Sequence, residues 1–283
     1  MTDSAGASAA FTIGPPPPAG VPAAGLALWL RADAGVSANG SAVAQWQDQS
    51  GNGVHASQAA AVSQPMLVAN ALNGQPAIQF DGLNDFLTFT LPINGLTGMT
   101  LCLVSANTAA RTGGSSEAGD AALFWNETQS WGTVGLSPFQ GLVQFRFGTT
   151  QTLNWPTYNR PASIGGAFST TLAIKNGSTD SLYVNGVPVL AEGGKFASIA
   201  GVQSTGNLGR GYNNDTFFPG AIAEVLVYRR ALSETERQGL EAYLQAKYFG
   251  LAAAASQTSA TWLISRPTIR IERLADGQLR CRV

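Results

Sequence analysis

From Leu26 to Tyr228 the chain is a succession of short apolar runs, each broken by Gly, Asn, Asp or Pro. No segment in that stretch keeps a helical period long enough to bury one stripe, so the pattern predicts strands joined by tight turns. The runs include Ala27-Leu28-Trp29-Leu30, Ala77-Ile78-Gln79-Phe80, Phe86-Leu87-Thr88-Phe89 and Met99 to Val104. Further along come Leu142 to Phe147, Thr171 to Ile174 and Ser181 to Val184. The last of these turns through Asn185-Gly186 into Val187-Pro188-Val189-Leu190, a strong hairpin signal because both turn residues tolerate positive φ. Ile222 to Tyr228 is apolar except for Glu224, which suits a central strand buried on both faces. Glu224 itself reads as a ligand or as a hydrogen-bonded buried carboxylate.

One helix is predicted. Ser233-Glu234-Thr235-Glu236 is a capping box, Leu240, Tyr243, Leu244 and Tyr248 form one apolar face, and Gly250 stops the helix. Many strands with a single late helix predict an all-β fold, an antiparallel two-sheet sandwich with one C-terminal helix. At 283 residues the chain is long enough for two domains, but sandwiches of this length often form one.

Two extensions flank the predicted domain at residues 23–251. Residues 1–22 form a Pro-rich arm in which Pro15 to Pro18 favour a stiff, extended spacer. Residues 252–283 are a small-residue linker followed by a β-hairpin extension that turns at Asp276-Gly277, in form the start of a further β domain. Phe11 and Ile13 in the arm, with Ile269 and Ile271 in the hairpin, are the candidate contacts between copies of the chain.

Charged residues make up only 12% of the chain, about half of the usual share of roughly 25%, and the formal net charge is -1. Without a Lys/Arg run there is no electrostatic footprint for nucleic acid. The one basic cluster within the predicted domain is Arg229-Arg230. No apolar stretch is long enough to span a membrane. The first residues lack the charged and apolar regions of a signal peptide. Cys102 and Cys281 are too few for a disulfide framework and read as unpaired thiols or a single bridge.

A set of motifs in one order resembles the laminin-G-like, concanavalin A-like jelly-roll domains of bacterial secreted and surface proteins. The motifs are Gly25 to Asp33, Trp46-Gln47-Asp48-Gln49-Ser50-Gly51-Asn52-Gly53, Phe80-Asp81-Gly82-Leu83-Asn84-Asp85, Leu182 to Gly186, Leu208-Gly209-Arg210 and Phe218 to Tyr228. The resemblance covers about residues 25–251. It implies a jelly roll, a secreted, cell-surface or virion-surface setting, and a recognition or adhesion module whose partner is an extracellular glycan or a surface protein. The competing expectation is a structural subunit of a self-assembling filament, sheath or virion coat, a homo-polymer built through the terminal extensions.

The related glucanases need closely spaced carboxylates on one strand. No predicted strand here carries two acids at alternating positions, and the single His55 offers no triad, so the sequence reads as non-enzymatic. The resemblance also implies structural calcium near two oxygen-rich loops, with Asp48 and Asn52 in one and Asp81 and Asp85 in the other. The other reading of both loops is a turn closed by side chain–backbone hydrogen bonds. Sugar sites stack pyranose faces on aromatics beside amides. The loop candidates are Trp125 with Asn126, Trp131, Trp155 with Tyr158, and Tyr212 with Asn213, whereas Trp29 and Trp46 are expected in the core.

Overall fold

The computed structural model describes residues 16–107, 122–129, 132–148 and 164–250, and the backbone of residues 159–161, 270–273 and 279–282. Phe11, Ile13, Trp131, Trp155, Tyr158 and Ile269 lie outside the described residues, as does the side chain of Ile271. The chain divides into two compact units, Met1–Ala253 and Ala254–Val283.

The first unit opens with β1 (Leu26–Arg31), β2 (Val36–Asn39), β3 (Ala42–Trp46) and β4 (Ala56–Ser57). Next are β5 (Met66–Leu72), β6 (Gln75–Asp81), β7 (Leu87–Thr90) and β8 (Gly98–Asn107). β9 (Leu123–Glu127), β10 (Val134–Phe139), β11 (Leu142–Phe147) and β12 (Asn159–Pro161) follow. The remaining elements are β13 (Ser169–Asn176), β14 (Thr179–Val184), β15 (Val187–Glu192), β16 (Val202–Leu208), β17 (Pro219–Tyr228) and α1 (Glu234–Phe249). All pairings are antiparallel, as the turn-rich sequence predicts.

The strands form two layers. One runs β15-β14-β13-β8-β17, with β1 and β6 sharing the far side of β17. The other runs β12-β11-β10-β9-β16-β7-β4-β3-β2. β5 joins them at one edge, pairing along β6 and touching β3 at Ala42 and Met66. In the Asn185-Gly186 turn both residues have positive φ, 50° and 79°, as the dipeptide predicts.

Side-chain alternation divides the interior. Leu28, Leu30, Leu101, Leu103, Val225 and Val227 point between the layers, meeting Leu87, Phe89, Leu123, Trp125, Phe145 and Leu208. Their neighbours Trp29, Cys102, Val104, Leu226 and Tyr228 point the other way, onto Leu240, Leu244 and Tyr248 of α1. β17 is therefore buried on both faces, as its composition predicts. Cys102 is a free, buried thiol, with its pKa pushed well up by burial.

A β-bulge lets β17 carry a carboxylate. Its register against β8 shifts between Ile222 and Glu224, so Ala223 is the extra residue. Ile222 and Val225 thus both face the inter-layer core, while Ala223 and Glu224 both face α1. Strict alternation would aim Glu224 into hydrocarbon. On the α1 side Glu224, fully buried, accepts hydrogen bonds from Trp29 Nε1 (2.7 Å), Tyr248 Oη (2.7 Å), Lys247 Nζ (2.8 Å) and Tyr243 Oη (3.3 Å). Of its two readings, the hydrogen-bonded buried carboxylate is what the structure shows.

The capping box of α1 is formed, and Gly250 closes the helix in the left-handed conformation. Packing begins upstream of the predicted boundary at residue 23: Val21 is buried in the α1-side cluster. Gly20, at φ 94°, lies so close to α1 that a Cβ would stand 2.7 Å from the Gly239 carbonyl oxygen.

In the second unit β18 (Arg270–Arg273) and β19 (Leu279–Arg282) pair as an antiparallel hairpin. No helix among the described residues is long and apolar enough to cross a membrane.

Candidate functional site

The face of the second layer turned away from the inter-layer core carries a polar array. Alternation sends Leu123 and Trp125 of β9, Leu136 of β10, and Phe145 and Phe147 of β11 into the core. Their neighbours Phe124, Asn126, Ser137, Gln144 and Arg146 point away from that core, joined by Asn207 of β16, and all six are nevertheless buried. Pairing aligns a row straight across five strands: Thr88, Asn207, Phe124, Gly135 and Arg146. Gly135 is required in this row, because a Cβ there would lie 2.5 Å from Phe124 Cδ2. The Arg146 guanidinium sits 5.9 Å from the Phe124 ring centroid.

One end of this face is built by a loop pinned at several points. Gly211 N–H donates to the Thr216 carbonyl (2.9 Å), and Arg210 bridges to Phe217. Inside, Asn213 and Asn214 are both left-handed, at φ 52° and 61°, a region that asparagine tolerates better than most residues. Asn126 of β9 holds them. Its Oδ1 accepts from Asn213 N–H (3.0 Å), and its Nδ2 donates to Gly211 O (3.3 Å) and Asn214 Oδ1 (3.1 Å).

Tyr212 is fixed by donating its hydroxyl to Glu127 Oε1 (3.1 Å). Burial and that bond raise its pKa. Arg210 forks onto Asn207 Oδ1 through Nε (3.1 Å) and Nη2 (2.8 Å) and lies 3.7 Å above the Phe86 ring; burial lowers its pKa. Asn213 and Asn214 stay exposed and Tyr212 is half-buried. The result is a rigid rim of amides, a phenol and a guanidinium. Such strained, over-determined segments cluster at ligand sites.

The structure thus brings together two sites predicted separately, Asn126 with the Tyr212-Asn213 loop. It removes a third. Trp125 is fully buried, its Nε1 donates to Leu91 O (3.2 Å), and its ring meets Phe89 edge-on at 5.3 Å. It is a core residue, because its neighbour Asn126 takes the outward position. Sequence reasoning missed Asn207, Gln144 and Arg146. The signal for Gln144 and Arg146 is the period-2 alternation of Val143, Gln144, Phe145, Arg146 and Phe147.

The four residues named for calcium stand in two turns closed by hydrogen bonds. Asp48 Oδ1 accepts from the N–H of Trp29 and Ser50, and Oδ2 from Val54 N–H and Ser50 Oγ. Asn52 turns its Nδ2 to Leu26 O (2.8 Å). Asp81 Oδ1 accepts from the N–H of Leu83, Asn84 and Asp85, and Asp85 Oδ2 accepts from Asp81 N–H. A cation at Asp48 would have to displace donors from both oxygens. No group of three His, Cys, Asp or Glu side chains suited to a metal ion comes together among the described residues.

The Asp81–Asp85 turn makes a pH prediction. Burial raises the Asp81 pKa, but the three backbone N–H donors outweigh it and the net shift is downward. Burial, then the charge of Asp81, pushes the Asp85 carboxyl up to about 6, against the opposing N–H bond. Between the unfolded value of about 4 and 6 the folded state therefore binds more proton than the unfolded state. The contribution of Asp85 to stability is full below about pH 4 and is lost as pH rises through 6. Subtracting the Tm-versus-pH curve of Asp85→Asn from that of the wild type should leave a component that falls from pH 4 to 7. A flat difference would refute the assignment.

Residues 106–236 match the family model described as the Concanavalin A-like lectin/glucanases superfamily. No curated protein sequence matches the chain significantly. Among solved structures, Trypanosoma rangeli sialidase in complex with 2,3-difluoro-KDN matches at 18% identity and a TM-score of 0.52, over 80% of this chain and 33% of that one. Domain 4 of AbnA, a GH43 extracellular arabinanase from Geobacillus stearothermophilus in complex with arabinotriose, matches at 17% identity and 0.52, over 77% of this chain and 98% of that one. A GH54 α-L-arabinofuranosidase mutant matches at 14% identity and 0.52, over 75% of this chain and 51% of that one. The chain thus spans a third of the sialidase's own length. At these identities the likeness shows the fold.

The expectation of a non-enzymatic chain is corrected by these matches: structures that share the fold come from a sialidase, an arabinanase and an arabinofuranosidase, all enzymes. The fold therefore does not argue against catalysis. The resemblance drawn from the sequence holds: this chain carries the concanavalin A-like lectin/glucanase fold, with the superfamily match running over residues 106–236.

Proposed function

We propose that this chain is a glycan-binding module and that it holds its ligand on the Gly211–Thr216 loop and the adjoining end of β9. The observation that carries the reading is the pinning of two exposed, left-handed asparagines by Asn126, with Tyr212 alongside. Side-chain amides match vicinal hydroxyls as donor and acceptor at once, and a phenol ring supplies an apolar face for sugar C–H groups. A loop already fixed in its binding geometry loses little entropy on complex formation. The fold match to an arabinanase domain in complex with arabinotriose supports glycan as the ligand class.

A glycan array with wild type and Tyr212→Ala tests it. The wild type should bind a subset of oligosaccharides, and the variant should lose about tenfold or more in affinity, equivalent to about 1.4 kcal/mol, with an unchanged circular dichroism spectrum. An array without hits, or a variant that binds as well as the wild type, would contradict the proposal.

A further inference from the structure

Two adjacent arginines at the end of β17 go separate ways. Arg230 forks onto Glu236 through Nη1 and Nη2, both at 2.7 Å, and donates Nε to Ala24 O. Arg229 points elsewhere and meets no carboxylate among the described residues. Its guanidinium donates only Nη2 to a protein acceptor there, Pro92 O at 3.0 Å. Beside it lies a half-open cavity of about 360 Å³, between the start of β1 and the end of β7.

The chemistry of the walls is specific. Val54, Leu91 and Pro92 form an apolar side, and Asn52, Thr90 and Arg229 supply the polar side chains. Asn52 is oriented by donating Nδ2 to Leu26 O and to Ser50 Oγ, both at 2.8 Å, which leaves its Oδ1 as an acceptor. Among the described residues, Arg229 carries the one formal charge on the lining. The volume is at the low end of ligand sites, about 300–1,000 Å³, and suits one sugar ring rather than a chain. A guanidinium fork matches a carboxylate in a bidentate arrangement.

We propose that this cavity binds a monosaccharide-sized acid of the uronate class, with the carboxylate on Arg229, ring hydroxyls on Asn52 and Thr90, and the C–H face on Val54 and Pro92. The site is separate from the Tyr212 loop and does not rest on that reading.

The test is titration of the ¹⁵N-labelled protein with sodium glucuronate, with glucose as the neutral counterpart and sodium acetate as the bare carboxylate. Glucuronate should give saturable shifts at Val54, Thr90 and Leu91 and bind about tenfold more tightly than either control. Arg229→Gln should abolish the preference and Arg229→Lys should keep part of it. Thr90→Val, at an exposed position, should weaken glucuronate without altering the fold. Equal binding of glucose, shifts confined to other residues, no saturable shift, or full affinity in Arg229→Gln would each overturn the proposal.

Discussion

Glu224→Ala is expected to destabilise the fold by about 2–4 kcal/mol, the cost of depriving buried donors of their shared acceptor. The carboxylate is fully buried and is shared by Trp29 of β1 and by Tyr243, Lys247 and Tyr248 of α1. Its charge is felt by both phenols, whose pKa values rise first through burial and then through Glu224. Without it Trp29 Nε1 loses its acceptor, at a cost of about 1–3 kcal/mol, and Tyr248 Oη keeps only its long bond to the Ala223 carbonyl at 3.4 Å. Lys247 keeps Asp33 at 3.0 Å, so the loss falls on the contact between helix and sheet rather than on the lysine. Urea unfolding followed by tryptophan fluorescence should show a lower midpoint at an unchanged slope. A loss below about 1 kcal/mol, the level of an exposed ion pair, would contradict this picture of the clamp.

Trp125→Ala should cost a similar amount, about 3–5 kcal/mol, through the cavity it leaves between the layers. The indole is fully buried against Phe89, and Gly206 leaves room for it: a Cβ at Gly206 would lie 2.9 Å from the indole Cε2. A tryptophan that stacked on a ligand at the surface would lose affinity on truncation with little change in stability. Denaturation of Trp125→Ala therefore separates the two roles. A near-native midpoint would return Trp125 to the list of ligand residues.

The sequence announced strands best where composition left one solution. Ile222 to Tyr228 has apolar residues at successive positions, which only a strand covered on both sides accommodates, and β17 is that strand. The capping box and Gly250 defined α1 to within a residue. β9, β10 and β16 were harder, because they mix polar and apolar positions and include Gly135 and Gly206, which read as breaks. Those glycines make room for Phe124 on one face and for Phe89 and Trp125 on the other. That is a property of cross-strand packing, which no local window contains.

The candidate site was legible only in pieces. Asn126 and Asn213 are far apart in sequence, and the pairing of β9 with β16 is what brings the Tyr212 loop over Asn126. The direction of Trp125 depends on strand register. A one-residue slip would have turned it away from the inter-layer core and sent Asn126 into that core, so the dipeptide alone supports either reading. The bulge at Ala223 is likewise invisible in the sequence, although Glu224 in an apolar run marks a position that needs one.

Glycan on the Tyr212 loop would leave a local signature in solution. The most direct measurement is a ¹⁵N–¹H titration with the oligosaccharide that ranks highest on the array. Saturable shifts are expected at Asn126, Glu127 and Tyr212 to Asp215, and should disappear in Tyr212→Ala. Shifts that map instead to the opposite layer, or a spectrum unmoved at millimolar ligand, would contradict it.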